Sequence, residues 1–279
     1  MQIIPYLCGR NMRIGQVLYR CWAFLRHQLT AWNTGGEGIH SPYLFYLVRM
    51  LFYDRHSFYC WSDIESCRRQ MLQSERTVEV EDFGTGRSGT RRIATIAARS
   101  VKPAQQAQLL FRLVQFLSHD KGEPLHILEL GTCLGLTTAY LALPDKRNNV
   151  VTFEGSGALL AIARQNWQAL GIRNIEGVEG DIGDTLSIYA RARKDKVDFV
   201  FMDANHTYEA TLQYYEYLCP LLHAKSIVVV DDIHADAGMY RTWRQLCARE
   251  EVTSSMDLYH YGLLFFDSHY LKRNYILRV

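Results

Sequence analysis

Residues 125–138 read LHILELGTCLGLTT. A short apolar run ends at Glu129 and Leu130, Gly131 and Gly135 follow, and helix-forming residues resume. That succession predicts a buried strand, a tight turn and the start of a helix. Gly131 permits the turn, and Gly135 is placed to let a helix N-terminus approach a ligand such as a carboxylate or phosphate. Taken alone, the glycine pair fits a ligand-free turn as well as it fits a site.

Further apolar runs follow downstream: VVTFE at 150–154, VDFVFMD at 197–203 and SIVVVDD at 226–232. Between them, helices are expected at about 135–143, 156–170, 207–219 and 238–249. Short, predominantly apolar runs of this kind are strands buried on both faces, as parallel sheets require. The fold class is therefore α/β, a Rossmann-like doubly wound and mostly parallel sheet. The tail, SMDLYHYGLLFF at 255–266 and NYILRV at 274–279, carries strands without an intervening helix, which predicts antiparallel C-terminal strands.

Before Pro124 the pattern is different. Ile14, Val17, Leu18, Cys21, Trp22, Leu25 and Leu29 recur at helical spacing between arginines, an amphipathic helix expected to dock on its own domain. NTGGEGIHSPY at 33–43 breaks that helix, and YLFYLVRMLFYD starts another. His40 and Ser41 in the break read as capping or packing residues, with substrate contact the alternative. IATIAARS and AQQAQLLFRLVQFL add two more helical stretches. The division expected is a helical accessory or substrate-capping region over 1–120 and a catalytic domain over 121–279.

Composition narrows the function. A formal charge of +2 on 279 residues provides no basic field for nucleic acid, which leaves a small-molecule or lipid-linked acceptor as the expected partner. The cysteines, at 8, 21, 60, 67, 133, 219 and 247, form no CxxC pair and suit a reducing cytoplasm. Arg10, Arg13, Arg20 and Arg26 interrupt any secretory core, and no window reaches the roughly 20 apolar residues of a membrane span.

The strand ends are acidic. Glu154 closes the second strand about twenty residues after the glycine turn, where a carboxylate can accept ribose hydroxyls, an arrangement that NAD would also use. The GxGxxG fingerprint of dinucleotide sites is broken by Cys133, which favours a cofactor without a pyrophosphate. In EGDIGDTL, Asp181 can accept from an adenine amino group with Ile182 against the ring, or simply cap a helix. Asp203, Asp231 and Asp232 end the next two strands, and carboxylates that close repel unless a cation intervenes. Magnesium is the hard ion that such oxygen donors suit. His206, three positions after Asp203, is a general-base candidate or a satisfied helix-start residue, and His234 is the weaker second.

ELGTCLGLTT resembles the EIGTFTGYST signature of class I S-adenosylmethionine-dependent O-methyltransferases, and Glu154, Asp181 and Asp203 fall in the family's order over roughly residues 124–268. The resemblance implies S-adenosylmethionine as methyl donor. It places Glu129, Gly131 and Thr137 around the methionine part, Glu154 at the ribose, and Asp181 with Ile182 at the adenine, and counts Thr132, Gly135 and Asp203 among the cofactor-binding residues. Catechol and caffeoyl-CoA enzymes carry Asp-Asn where this chain has Asp231-Asp232, and a lysine where it has His206. Macrocin-type sugar enzymes show a similar Asp-x-x-His. Catalysis by His206 with Asp203, and a magnesium ion on Asp203, Asp231 and Asp232, are what the resemblance implies.

A second glycine motif, EDFGTGRSGTRR at 81–92, lacks a preceding apolar strand and is read as a loop capping a helix, with Arg87, Arg91 and Arg92 suited to an anion. Together with the GIHSP loop it resembles segments that precede the catalytic domain in bacterial methyltransferase-like proteins, which implies an accessory region; the helical front region is expected to form part of the substrate pocket and a homodimer contact. The alternatives carried forward are a nucleotide-dependent dehydrogenase and a non-catalytic cofactor-binding module.

Overall fold

The structure, a computed structural model, describes residues 14–54, 56–81, 88–193 and 195–278. Helices α1 (Ile14–Thr30), α2 (Pro42–Tyr53) and α3 (Tyr59–Gln73) lead into a hairpin of β1 (Thr77–Val80) and β2 (Gly89–Arg92), followed by α4 (Ile93–Arg99) and α5 (Ala104–Lys121). The alternating part runs β3 (His126–Leu130), α6 (Leu136–Ala142), β4 (Asn149–Glu154), α7 (Gly157–Ala169), β5 (Ile175–Glu179), α8 (Ile182–Ala192), β6 (Phe199–Met202), α9 (Tyr208–Leu218) and β7 (Ile227–Asp231). It closes with α10 (Ala237–Ala248), β8 (Ser254–Asp257), β9 (Tyr261–Phe265) and β10 (Arg273–Ile276).

Strands β3 to β10 form one eight-stranded sheet in the order β10-β8-β9-β7-β6-β3-β4-β5. The chain first builds outward from β3 through β4 to β5, then restarts on the other side at β6, so the topological switch lies between β3 and β6. Of the C-terminal strands, β9 pairs antiparallel with both β7 and β8, as expected. β10 differs, because it pairs parallel with β8. The connection 266–272 reverses the chain, as a helix-free link must, and then passes beyond β8 to reach the open edge.

Period-two alternation divides the core in two. Ile127, Phe199, Phe201, Ile227 and Val229 face one layer, which contains α2, α3, α5, α6 and α7, while Leu128, Leu130, Val200, Val228 and Val230 face α8, α9 and α10. The first layer runs without a break across residue 120: Leu44, Ile64, Leu110 and Val114 pack in the same cluster as Ile127 and Phe201.

Several expectations meet a different outcome. Helix α8 is absent from the four expected helix ranges and forms where the capping alternative for Asp181 put a helix start. The end of the second glycine motif, Gly89–Arg92, is strand β2 rather than loop, paired with a largely exposed β1 in a register running from Thr77↔Arg92 to Val80↔Gly89. The glycine motif's Asp82–Arg87 lies outside the described residues. Helix α1 forms where its periodicity puts it, but not with the apolar stripe inward. Ala23 and His27 are buried, whereas Leu18, Trp22, Leu25 and Leu29 are exposed, Leu29 at 87%. Polar anchors decide its seating: Arg20 Nε donates to the Ala235 carbonyl (3.1 Å), Arg26 to the Tyr240 hydroxyl (3.0 Å), and His27 meets Asp257 (3.3 Å). Ser41 caps α2 through the Leu44 amide, and His40 is exposed. No helix among the described residues is long and apolar enough to cross a membrane.

Candidate active site at the carboxyl edge of the sheet

In open parallel sheets ligands bind beyond the carboxyl ends of the strands at the switch point, here the crevice between Gly131 and Asp203. The two strand ends approach closely. An ideal Cβ on Gly131, whose φ is +98°, would lie 2.4 Å from the Asp203 carbonyl oxygen, so only glycine fits. Around this crevice, Cys133, Asn205, Asp232 and Tyr259 have positive φ without being glycine (52°, 42°, 53° and 70°). Each sits in a loop that follows β3, β6, β7 or β8 on the carboxyl side, and backbone strain of this kind concentrates at functional sites.

The turn after β3 is held from within. Gly131 and Thr132 amides donate to the Phe153 carbonyl, the Gly135 amide to the Thr132 carbonyl, and the Cys133 amide to Glu154 Oε2 at 2.7 Å. These four amides are therefore spent inside the fold. The glycine at 135 also serves packing: its ideal Cβ would lie 2.5 Å from Trp167 Nε1, which donates to the Gly135 carbonyl at 2.8 Å. An indole from α7 thus occupies the space that a side chain at 135 would take.

Beneath the turn, Glu129 is fully buried. Its Oε2 accepts from the Thr138 (2.5 Å) and Thr152 (2.7 Å) hydroxyls, and the Thr132 hydroxyl lies 2.6 Å from that of Thr152. Glu129 Oε1 is buried without a hydrogen-bond partner. Burial pushes the Glu129 carboxyl up to about 8, against the threonine hydroxyls, with the Asp203 and Glu154 charges adding to the rise. Thr137 is buried at the start of α6.

Glu154 is gripped at both oxygens, by the Cys133 amide and by the Ser156 amide at 3.0 Å, which orients the carboxylate at the end of β4. Asp181 caps α8 by accepting from the Asp184 amide at 3.1 Å, and Ile182 is half-buried against the second core layer. The helix-cap role is thus present, on a loop that also lies on the carboxyl side of the sheet.

Across the crevice, Asp203, His206 and Asp231 converge, with one potential ligand atom from each lying within 4.8 Å of the others. His206 Nε2 is 3.3 Å from Asp203 Oδ1 and 3.8 Å from Asp231 Oδ2. Asp232 is not part of this group, a correction to the three-aspartate arrangement: neighbouring residues at a strand end project apart, and Asp232 enters a turn at φ 53°. His234 also goes elsewhere. It binds Asp257 Oδ2 at 2.8 Å and stacks between Tyr240 and Tyr259.

A residue that the sequence reading missed completes the cluster. Lys102, in the link between α4 and α5, directs Nζ to Asp203 Oδ1 at 3.0 Å and forms a short ion pair with Asp231 Oδ2. Burial alone would lower the lysine's pKa, but Asp203, Asp231 and Asp232 raise it well above its ordinary value. Burial raises the Asp203 carboxyl, yet Lys102 and His206 bring it below the usual range; Asp231, more deeply enclosed, is driven well up by burial. No local signal marks Lys102, since Asp203 lies 101 residues and Asp231 129 residues further along the chain.

The two expected ligands fare differently against this geometry. For S-adenosylmethionine the residues fit: an unpartnered buried acceptor on Glu129, an oriented carboxylate on Glu154 and a glycine that keeps the crevice open. For magnesium they do not. The ammonium bonds the same oxygens that would coordinate the ion, and the third donor is an imidazole, whereas magnesium takes oxygen and retains its waters.

Residues 128–233 match the family model described as a methyltransferase domain. Solved structures of similar fold include the O-methyltransferase TomG from Streptomyces achromogenes, involved in tomaymycin synthesis and seen in complex with SAM. It is 23% identical, covers 60% of this chain and 82% of its own, and has a TM-score of 0.52. An O-methyltransferase from Bacillus cereus in complex with SAH is 19% identical, covering 75% of this chain and 91% of that one, with a TM-score of 0.53. The SAH-bound methyltransferase PaMTH1 of Podospora anserina is 14% identical, covers 82% and 97%, and has a TM-score of 0.57. At these identities the likeness speaks for the fold, which is that of class I O-methyltransferase-like proteins. A search of curated proteins by sequence finds no match.

Proposed function

We propose that this chain, whose residues 128–233 match the methyltransferase-domain model, transfers a methyl group from S-adenosylmethionine to a hydroxyl of a small-molecule or sugar acceptor. The observation that carries the reading is the union of Glu154 with the glycine turn: the Cys133 amide fixes the carboxylate at the edge of the switch-point crevice. Glu154 would hold the ribose hydroxyls, Asp181 and Ile182 the adenine, and Glu129 the methionine ammonium through its unpartnered oxygen.

Bound S-adenosylmethionine supplies a sulfonium methyl open to in-line attack. The chain's task is then to align an acceptor and remove its proton. His206, with Nε2 turned to Asp203, presents Nδ1 as the base, and Asp203 steadies the imidazolium that forms. A dehydrogenase is disfavoured because the amides of Gly131, Thr132, Cys133 and Gly135 are already bonded and make no cradle for a pyrophosphate. A purely binding module would have no need of the Asp203–His206 pair.

Calorimetric titration with S-adenosylmethionine tests the cofactor. Glu154→Ala should weaken binding about 10- to 100-fold, the worth of charge-assisted hydrogen bonds to a carboxylate. Absence of binding by the wild type would overturn the assignment.

A further inference from the structure

We propose that Lys102 is the built-in cation of the Asp203–Asp231 cluster, doing there what a divalent ion would otherwise do, and that its removal uncovers a divalent-cation site on Asp203, His206 and Asp231. The inference concerns the cluster's own electrostatics and stands independently of the methyl-transfer reading.

Two buried carboxylates at neighbouring strand ends repel one another, and a cation between them offsets that repulsion. Lys102 is placed there. The ammonium reaches one oxygen of each acid, Asp203 Oδ1 and Asp231 Oδ2, and its side chain is only 12% exposed. A divalent ion on those oxygens would stand about 2.0–2.6 Å from each, within near-contact of the ammonium, so the two cations exclude one another. The remaining geometry is already that of a metal site. Asp203, His206 and Asp231 offer donor atoms within 4.8 Å of one another, and Asp231 Oδ1 is buried without a partner, a further donor facing no hydrogen.

The link that carries Lys102 is held in place at both sides. Pro103 caps α5 with φ −53° and ψ 146°, and Val101 packs against the core. The lysine thus belongs to the front region, while both acids belong to the sheet. The front region thereby contributes a charged residue to the candidate active site, and the acid cluster is incomplete without it.

Manganese is the probe, because it accepts both carboxylate and imidazole donors. Mn²⁺ titrations followed by the resonance of the free ion should show no site in the wild type below the millimolar range, and none in Lys102→Arg. Lys102→Met should gain one Mn²⁺ per chain, bound about tenfold or more tightly than anything in the wild type, as charge count governs such sites. The gain should vanish in Lys102→Met/Asp203→Asn. If Lys102→Met does not fold alone, folding restored by Mn²⁺ and not by Na⁺ reads the same site. Tight stoichiometric Mn²⁺ binding by the wild type would overturn the proposal, as would a Lys102→Met protein that gains no site whether folded alone or refolded with Mn²⁺.

Discussion

Gly135→Ala separates a packing glycine from a ligand glycine, and Gly171→Ala is its internal control. Both residues occupy left-handed backbone, at φ +74° and +68°, so an alanine at either incurs the same conformational cost, about 1–2 kcal/mol. Their surroundings differ. Around Gly171 nothing lies within 4 Å of an added Cβ, whereas at Gly135 that carbon would sit 2.5 Å from Trp167 Nε1 and 2.7 Å from Ala163 Cβ. The indole is 5% exposed and rigid, so relief requires moving α7 or the turn, an overpacking penalty of about 1–3 kcal/mol. Moving the ring also breaks its hydrogen bond to the Gly135 carbonyl and leaves a buried N–H unpaired, about 1–3 kcal/mol more. Urea unfolding should therefore place Gly135→Ala about 2–6 kcal/mol below Gly171→Ala. Two variants destabilised equally, with S-adenosylmethionine affinity lost only in Gly135→Ala, would refute the packing account and return the glycine to the ligand.

Two pH dependences follow from buried carboxyls. Glu129, with its folded value pushed up to about 8 by burial, holds a proton that the unfolded chain releases near 4.5, so the wild type loses stability as pH rises between these values. Glu129→Gln should be more stable than the wild type by about 3 kcal/mol at pH 7 and equal to it near pH 4; parallel stability profiles would contradict the shift. Asp198 behaves in the opposite sense. Burial would raise it, but His223, the His126 amide and Lys121 bring it down to about 2. Its contribution should be present above pH 4 and lost as pH falls towards 2, so the deficit of Asp198→Asn, about 2 kcal/mol at pH 6, should shrink over that window.

The parallel sheet was legible because burial on both faces demands predominantly apolar runs, and VVTFE, VDFVFMD and SIVVVDD have no other comfortable environment. The acids at the ends of those runs were legible for the same reason: a charge that stops an apolar strand marks the edge where a site can form. Helix α8 was left out of the expected helices although Ile182–Ala192 is strongly amphipathic; the structure buries only Leu186 of it fully. Helix α1 showed its periodicity but not its orientation. Three polar contacts from Arg20, Arg26 and His27 seat it, and hydrophobic spacing does not count hydrogen bonds to distant carbonyls.

Local pattern by itself determined the strand order of chemistry along this chain: a glycine turn after Glu129, an acid at Glu154, a cap at Asp181, and the Asp203-x-x-His206 step. Those features are written in residues close together, where backbone geometry alone relates them. Only the tertiary structure decided what surrounds them. It set Trp167 against Gly135, grouped Asp231 with Asp203 and His206, and brought Lys102 across the fold into the acid cluster. Each of those outcomes depends on side chains that meet through folding rather than along the chain, and a charge balance struck between such partners leaves no trace in local sequence.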